Sequence, residues 1–105
     1  MKNNAIDPQS PYLVQVDPLI APLVPGYLEN RAKDVQRIAD WLAAKDFAAL
    51  RKLGHNMKGS AGAYGLAPLS AIGDRIEVAA QAADGATIGA ALEDLRRFLQ
   101  NVKLS

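Results

Sequence analysis

The chain contains a single histidine, set in the run His55-Asn56-Met57-Lys58-Gly59-Ser60-Ala61-Gly62. A neutral imidazole keeps a lone pair on one ring nitrogen and is a good nucleophile near neutral pH. To accept a phosphoryl group it needs exposure, room, cations to balance the incoming charge, and a partner that fixes the other ring nitrogen. The run offers the first three. Lys58 at i+3 and Arg51 at i−4 lie within one helical turn of the ring, and their cations suit a phosphate. Gly59 at i+4 and Gly62 at i+7 remove side chains along the line of approach. Each glycine inside a helix costs roughly 1 kcal/mol relative to alanine, so two beside the sole imidazole point to a need for space. The run reads as a phosphate-accepting site.

The run must sit on a helix for those spacings to matter. At about 100° per residue, Phe47, Leu50, Leu53, Met57, Ala61 and Tyr64 fall within an arc of about 120°, which is the inward face. His55 lies roughly 160° from its centre and therefore points outward. Asp46 is the expected N-cap of this helix and Gly65 its stop. Glycines serving internal packing would fall on the leucine stripe, and by this angle Gly59 and Gly62 do not. Against this stands a plainer alternative. A lone surface histidine is usually nothing more, and small residues on a helix face often admit a neighbouring helix.

Three further helices follow from the same periodicity. After Asp17-Pro18, an N-cap with proline at the first helical position, a short helical piece is interrupted by Pro22 and Pro25-Gly26. From Tyr27 to about Ala44, Leu28, Val35, Ile38 and Leu42 share a face with Trp41 at its margin, opposite Glu29, Lys33, Arg37 and Asp40. Leu66-Ala67-Pro68 opens a helix whose stripe is Leu69, Ile72, Ile76, Ala79, Ala80 and Ala83, closed by Asp84-Gly85. Thr87 is the expected N-cap of the last helix, with Ile88, Ala91, Leu92, Leu95, Leu99 and Val102 inward, Phe98 beside them, and Lys103 on the wet side. No segment alternates with period two, and short linkers favour antiparallel neighbours. The expected fold is an all-α, antiparallel up-down four-helix bundle with a short additional N-terminal helix. Residues 1–16, with Asp7-Pro8 and Ser10-Pro11, read as an irregular or extended lead-in to a domain over 17–105; Tyr12, Leu13 and Val14 could pack on it.

Composition excludes several classes. The chain has 105 residues, half of them apolar and 6% aromatic, enough for one core of Leu, Ile, Val and Ala. A net charge of +1 gives no case for nucleic acid or an anionic membrane. Without cysteine there are no disulfides, thiolate metal sites or thiol nucleophiles. The apolar stretches fall short of the roughly 20 residues of a membrane span, and the start carries no apolar signal segment. The expectation is a cytoplasmic, monomeric domain. No Gly-rich phosphate loop for ATP and no acidic cluster for Mg²⁺ is visible, so self-phosphorylation from ATP is not expected.

His55-Asn-Met-Lys-Gly-Ser-Ala-Gly-Ala-Tyr-Gly-Leu resembles the signature of histidine-containing phosphotransfer (HPt) domains: His-x-apolar-Lys-Gly-small-small, then Gly-Leu at the turn into the next helix. The likeness runs from about Asp17 to Leu104 through the leading helix and the four-helix order. It implies that His55 is the phosphoacceptor, that Lys58 assists the phosphoryl group and that Gly59 gives it clearance. It also implies a polar residue, often glutamine, near the ring on the third helix, which by spacing is Glu77. That glutamate lies roughly 110° from the centre of its apolar stripe. Its carboxylate can accept from one ring N–H and leave the other nitrogen free, orienting His55. Unlike glutamine it also favours the protonated ring, which works against nucleophilicity below neutral pH.

In that family the phosphoryl group passes from an aspartate of a receiver domain to the histidine and on to another receiver. The expected partners are therefore the receiver domains of a hybrid histidine kinase and a response regulator. No cofactor is expected in this chain, Mg²⁺ belonging to the partner's receiver, and the protein is expected to be a carrier and not an enzyme. Arg51, Lys52, Asn56, Gly62 and Ala63 are the expected docking residues. Three other readings stay open: a metal-binding bundle, disfavoured by one histidine and no Glu-x-x-His pair; an interaction or dimerisation module with His55 incidental; and a histidine-kinase dimerisation piece, which expects an acidic residue where Asn56 stands.

Overall fold

The computed structural model of the chain describes residues 13–14 and 16–104. A 3-10 turn over Ala21–Leu23 leads into α1 (Val24–Ala43), followed by α2 (Phe47–Ala63), α3 (Ala67–Gln81) and α4 (Gly85–Asn101). Two-residue strands β1 (Leu13–Val14) and β2 (Lys103–Leu104) pair in parallel, Leu13 opposite Lys103 and Val14 opposite Leu104. Among the described residues the fold is the expected all-α four-helix bundle. The lead-in over residues 1–12, and the packing expected of Tyr12, Leu13 and Val14, lie outside what is described.

The three reversals between helices use the same turn. Ala44, Tyr64 and Ala82 end the helices, and Lys45, Gly65 and Ala83 follow with φ of 57°, 75° and 53°. The residue after each donates its N–H five residues back, Asp46 to Trp41, Leu66 to Ala61 and Asp84 to Ala79, each at 2.8 Å. The left-handed residue itself donates three back, closing a Schellman motif each time. The next helix then starts at once. Asp46 accepts from the Ala49 N–H and Asp84 from the Thr87 N–H, both at 3.1 Å. Leu66 has no capping side chain; Pro68 in the first turn leaves one fewer amide to satisfy.

Each helix lies against its sequence neighbours, and α1 also lies against α4, so the bundle closes as a ring in which, among the described residues, no diagonal pair of helices brings its Cα atoms within 8 Å. Its centre is apolar: Ile38, Leu50, Ile72, Ile76, Ile88, Leu95 and Phe98 are fully buried. A charged group, Asp34, is also buried, held between Arg31 (3.1 Å) and Arg37 (2.9 Å) of its own helix.

Several boundaries differ from expectation, each for a local reason. Pro25-Gly26 does not interrupt α1, because proline in the first turn forfeits only an amide without a helical partner. Asp84, not Thr87, is the N-cap of α4, since its carboxylate reaches both the amide and the hydroxyl of Thr87. Ala83 is not on the α3 stripe; it takes the left-handed turn position. Val102 and Lys103 are not helical: Val102 is extended (ψ 134°), and the residues after it form β2. Phe98 is not beside the core but within it. A two-residue bridge is too short to leave any periodic trace in the sequence.

Candidate functional site

The site is built where α2 crosses α3, and two glycines decide how closely they cross. A Cβ on Gly54 would stand 2.6 Å from the Glu77 amide nitrogen and 2.7 Å from the Gly73 carbonyl oxygen. A Cβ on Gly73 would stand 2.5 Å from the Lys58 amide nitrogen and 2.9 Å from the Gly54 carbonyl. Neither position tolerates a side chain without separating the backbones. Ser70 adds a side-chain tie, its hydroxyl donating to the Lys58 carbonyl at 2.8 Å. Gly54 precedes His55, and Gly73 lies one turn before Glu77, so the close crossing sets the His55 and Glu77 side chains against each other.

The His55 side chain is 68% exposed and leaves the core side of α2 to Leu50, Met57 and Ala61, all buried. Its Nδ1 lies 3.0 Å from Glu77 Oε2. An ionised carboxylate can only accept, so Nδ1 carries the proton, and in the neutral ring Nε2 keeps its lone pair. Glu77 is mostly buried, at 13% side-chain exposure. Its second oxygen, Oε1, is fully buried, has no hydrogen bond and lies 3.6 Å from Lys58 Nζ. Lys58 reaches further to Asp74, where Nζ and Oδ1 are 3.1 Å apart. The hydrogen bond and charge of Asp74, and then the charge of Glu77, raise the Lys58 pKa above the ordinary lysine value. The result is a row of alternating charge, Asp74, Lys58, Glu77, ending on an exposed imidazole with a fixed tautomer.

The structure thus brings His55, Lys58 and Glu77 together. Gly59 is open, and a Cβ placed there would meet nothing within 4 Å; Gly62 instead faces Ser70, whose Oγ would lie 3.6 Å from its Cβ. Arg51, Lys52, Asn56 and Ala63 are exposed on α2. Sequence reasoning missed Gly54, Gly73, Ser70 and Asp74. For Gly54 a signal existed: it stands four residues after Leu50 and three before Met57, on the leucine stripe, where a glycine marks close approach. Asp74 is one turn before Glu77, but only the crossing of α2 over α3 shows that it meets Lys58. Val78, four residues after Asp74, is a large apolar side chain left 56% exposed on α3.

Among the described residues no group of three or more His, Cys, Asp or Glu gathers to hold a metal, and no helix is long and apolar enough to cross a membrane. In comparison with known protein families, a family model described as Hpt domain fits residues 23–104. No curated protein and no solved structure matched the chain.

Proposed function

Because the chain belongs to the Hpt domain family, we propose that His55 is its phosphoacceptor, taking a phosphoryl group from the aspartate of one receiver domain and returning it to the aspartate of another. Membership carries the broader role: a phosphotransfer module of two-component signalling, a phosphocarrier whose partners are receiver domains. The observation that supports His55 is the 3.0 Å contact of Nδ1 with Glu77, which leaves Nε2 exposed as the nucleophile.

The transfer balances as follows. The Nε2 lone pair forms the N–P bond while the P–O bond to the receiver aspartate breaks, and that carboxylate leaves with the electron pair. The proton on Nδ1 stays where it is, so the ring becomes cationic as the bond forms. Glu77 offsets that charge through a charge-assisted hydrogen bond. In the onward step an acceptor aspartate attacks phosphorus, and the N–P electrons return to Nε2. The ring leaves as a neutral imidazole, a good leaving group, which keeps the phosphoryl group transferable. Such transfers depend on in-line positioning and charge stabilisation more than on covalent chemistry. Lys58 supplies a cation to the phosphoryl oxygens and Gly59 keeps their path clear, while Mg²⁺ belongs to the receiver, as in the family. With receiver domains as partners, the compartment in which the protein works is the cytoplasm.

The test uses a receiver domain charged with acetyl phosphate. The wild-type protein acquires an acid-labile, alkali-stable phosphate and His55→Gln acquires none. Labelling of neither protein would favour an interaction module in which the histidine has no chemical part.

A further inference from the structure

The site contains one more charged group than the transfer uses. We propose that Asp74 is a positioning residue that holds the Lys58 ammonium in reserve and competes for it with the phosphoryl group on His55, an inference that rests on the phosphotransfer reading above. Lys58 has two anionic partners, and the nearer is not the buried one. Its Nζ is 3.1 Å from Asp74 Oδ1 but 3.6 Å from Glu77 Oε1, although that oxygen is buried and has no hydrogen bond. Asp74 therefore draws the ammonium toward the groove it lines with Lys58, Gly62, Ser70 and Ala71.

The pair is built to be broken. Both side chains are about half exposed, 48% for Lys58 and 50% for Asp74, and exposed ion pairs are weak. A phosphoryl group on Nε2 brings a charge approaching −2 and three acceptor oxygens, against one carboxylate. Glu77 is the weaker competitor, because its Oε1 stands 3.6 Å from Nζ, against 3.1 Å for Asp74, and its Oε2 is held by Nδ1. When the N–P bond forms, the ammonium passes from Asp74 to the phosphoryl oxygens, and when the phosphoryl group leaves, it returns. Each cycle exchanges one ion pair for another. Asp74 thereby lowers the net gain from the phosphoryl–lysine contact and keeps the phosphorylated state from becoming a trap.

The experiment equilibrates the protein with a receiver domain charged with acetyl phosphate and measures how phosphate partitions between them. Asp74→Asn shifts the partition toward His55 by about two- to fivefold, as expected for loss of an exposed ion pair. Asp74→Glu, which restores the carboxylate, behaves as wild type. In a Lys58→Gln background Asp74→Asn has no effect. An unchanged partition in Asp74→Asn overturns the proposal, and so does a shift that persists without Lys58, since Asp74 would then act by its own field. Without any phosphate, Asp74→Asn lowers the Lys58 titration measured by NMR. If the wild-type protein takes no label, the competition falls with the phosphotransfer reading, and the lysine titration then decides separately whether Asp74 holds the ammonium.

Discussion

In the proposed transfer, Glu77 is the side chain that acts on the His55 ring directly. Its two oxygens face different tasks, one on the ring nitrogen and one buried near Lys58 without a hydrogen bond. A glutamine there keeps an acceptor for Nδ1–H but gives up the charge that stabilises the cationic ring. A charge-assisted hydrogen bond is about twice as strong as a neutral one, a difference of about 1 kcal/mol. Glu77→Gln is therefore expected to accept phosphate from a charged receiver about fivefold more slowly, and Glu77→Leu more slowly still, in rapid-quench transfer assays. Equal rates for wild type and Glu77→Gln would show that the acceptor alone matters and its charge does not.

The α2–α3 hairpin is the element that makes the site, and its glycines separate two roles that look alike in the sequence. Gly73→Ala pushes a methyl group to 2.5 Å from the Lys58 amide. Overpacking of this kind costs about 1–3 kcal/mol, and the helices part where His55 meets Glu77. Denaturant unfolding should show that loss, accompanied by slower transfer. Gly59→Ala meets nothing within 4 Å, so it should stabilise α2 by up to about 1 kcal/mol yet slow transfer by crowding the phosphoryl path. A Gly59→Ala protein that is both more stable and fully active removes the clearance role.

One cap, Asp84, carries a pH dependence at this same scale. Hydrogen bonds from the Thr87 hydroxyl and amide, and from the Ala86 amide, hold the Asp84 carboxyl below its ordinary value. A depressed folded value means that the cap contributes fully above the ordinary value of 3.8. That contribution is lost as pH falls through the lower folded value. Unfolding of wild type and Asp84→Ala should therefore differ near neutral pH and converge in acid. Asp46 and Gly65 are legible in the sequence as cap and stop because their chemistry is local. Thr87 and Asp84 both suit a cap by residue type, and only the turn geometry chooses between them.

The whole molecule is a ring of four helices around one apolar core, with further side-chain ties between neighbouring helices. Tyr27 of α1 stacks on Tyr64 at 4.4 Å between ring centroids, and its hydroxyl lies 2.6 Å from the Ser60 hydroxyl. Arg31 lies over the Tyr27 ring and also pairs with buried Asp34. On the α3–α4 seam, Arg75 of α3 reaches Asp94 of α4. Among the described residues the large apolar side chains left exposed are Leu19, Leu23 and Val78, too few for a patch of the size that drives self-association. Sedimentation velocity should find an 11.2 kDa monomer that binds one receiver domain; a stable dimer would contradict this.

What the sequence determined by itself is what repeats along one helix. The 3.6-residue period separated the core stripe from the His55 face, and the His-x-x-Lys-Gly spacing placed an imidazole, a cation and a gap on that face. These relations need only the geometry of a single helix. The tertiary structure decided what lies between helices: that Gly54 and Gly73 let two backbones meet, that Glu77 therefore reaches Nδ1, and that Lys58 rests on Asp74. Residues 58 and 74 share no periodic relation, because the turn at Gly65 and the crossing of α2 over α3 stand between them. Their distance is fixed by packing, and packing is a property of the pair of helices and of neither alone.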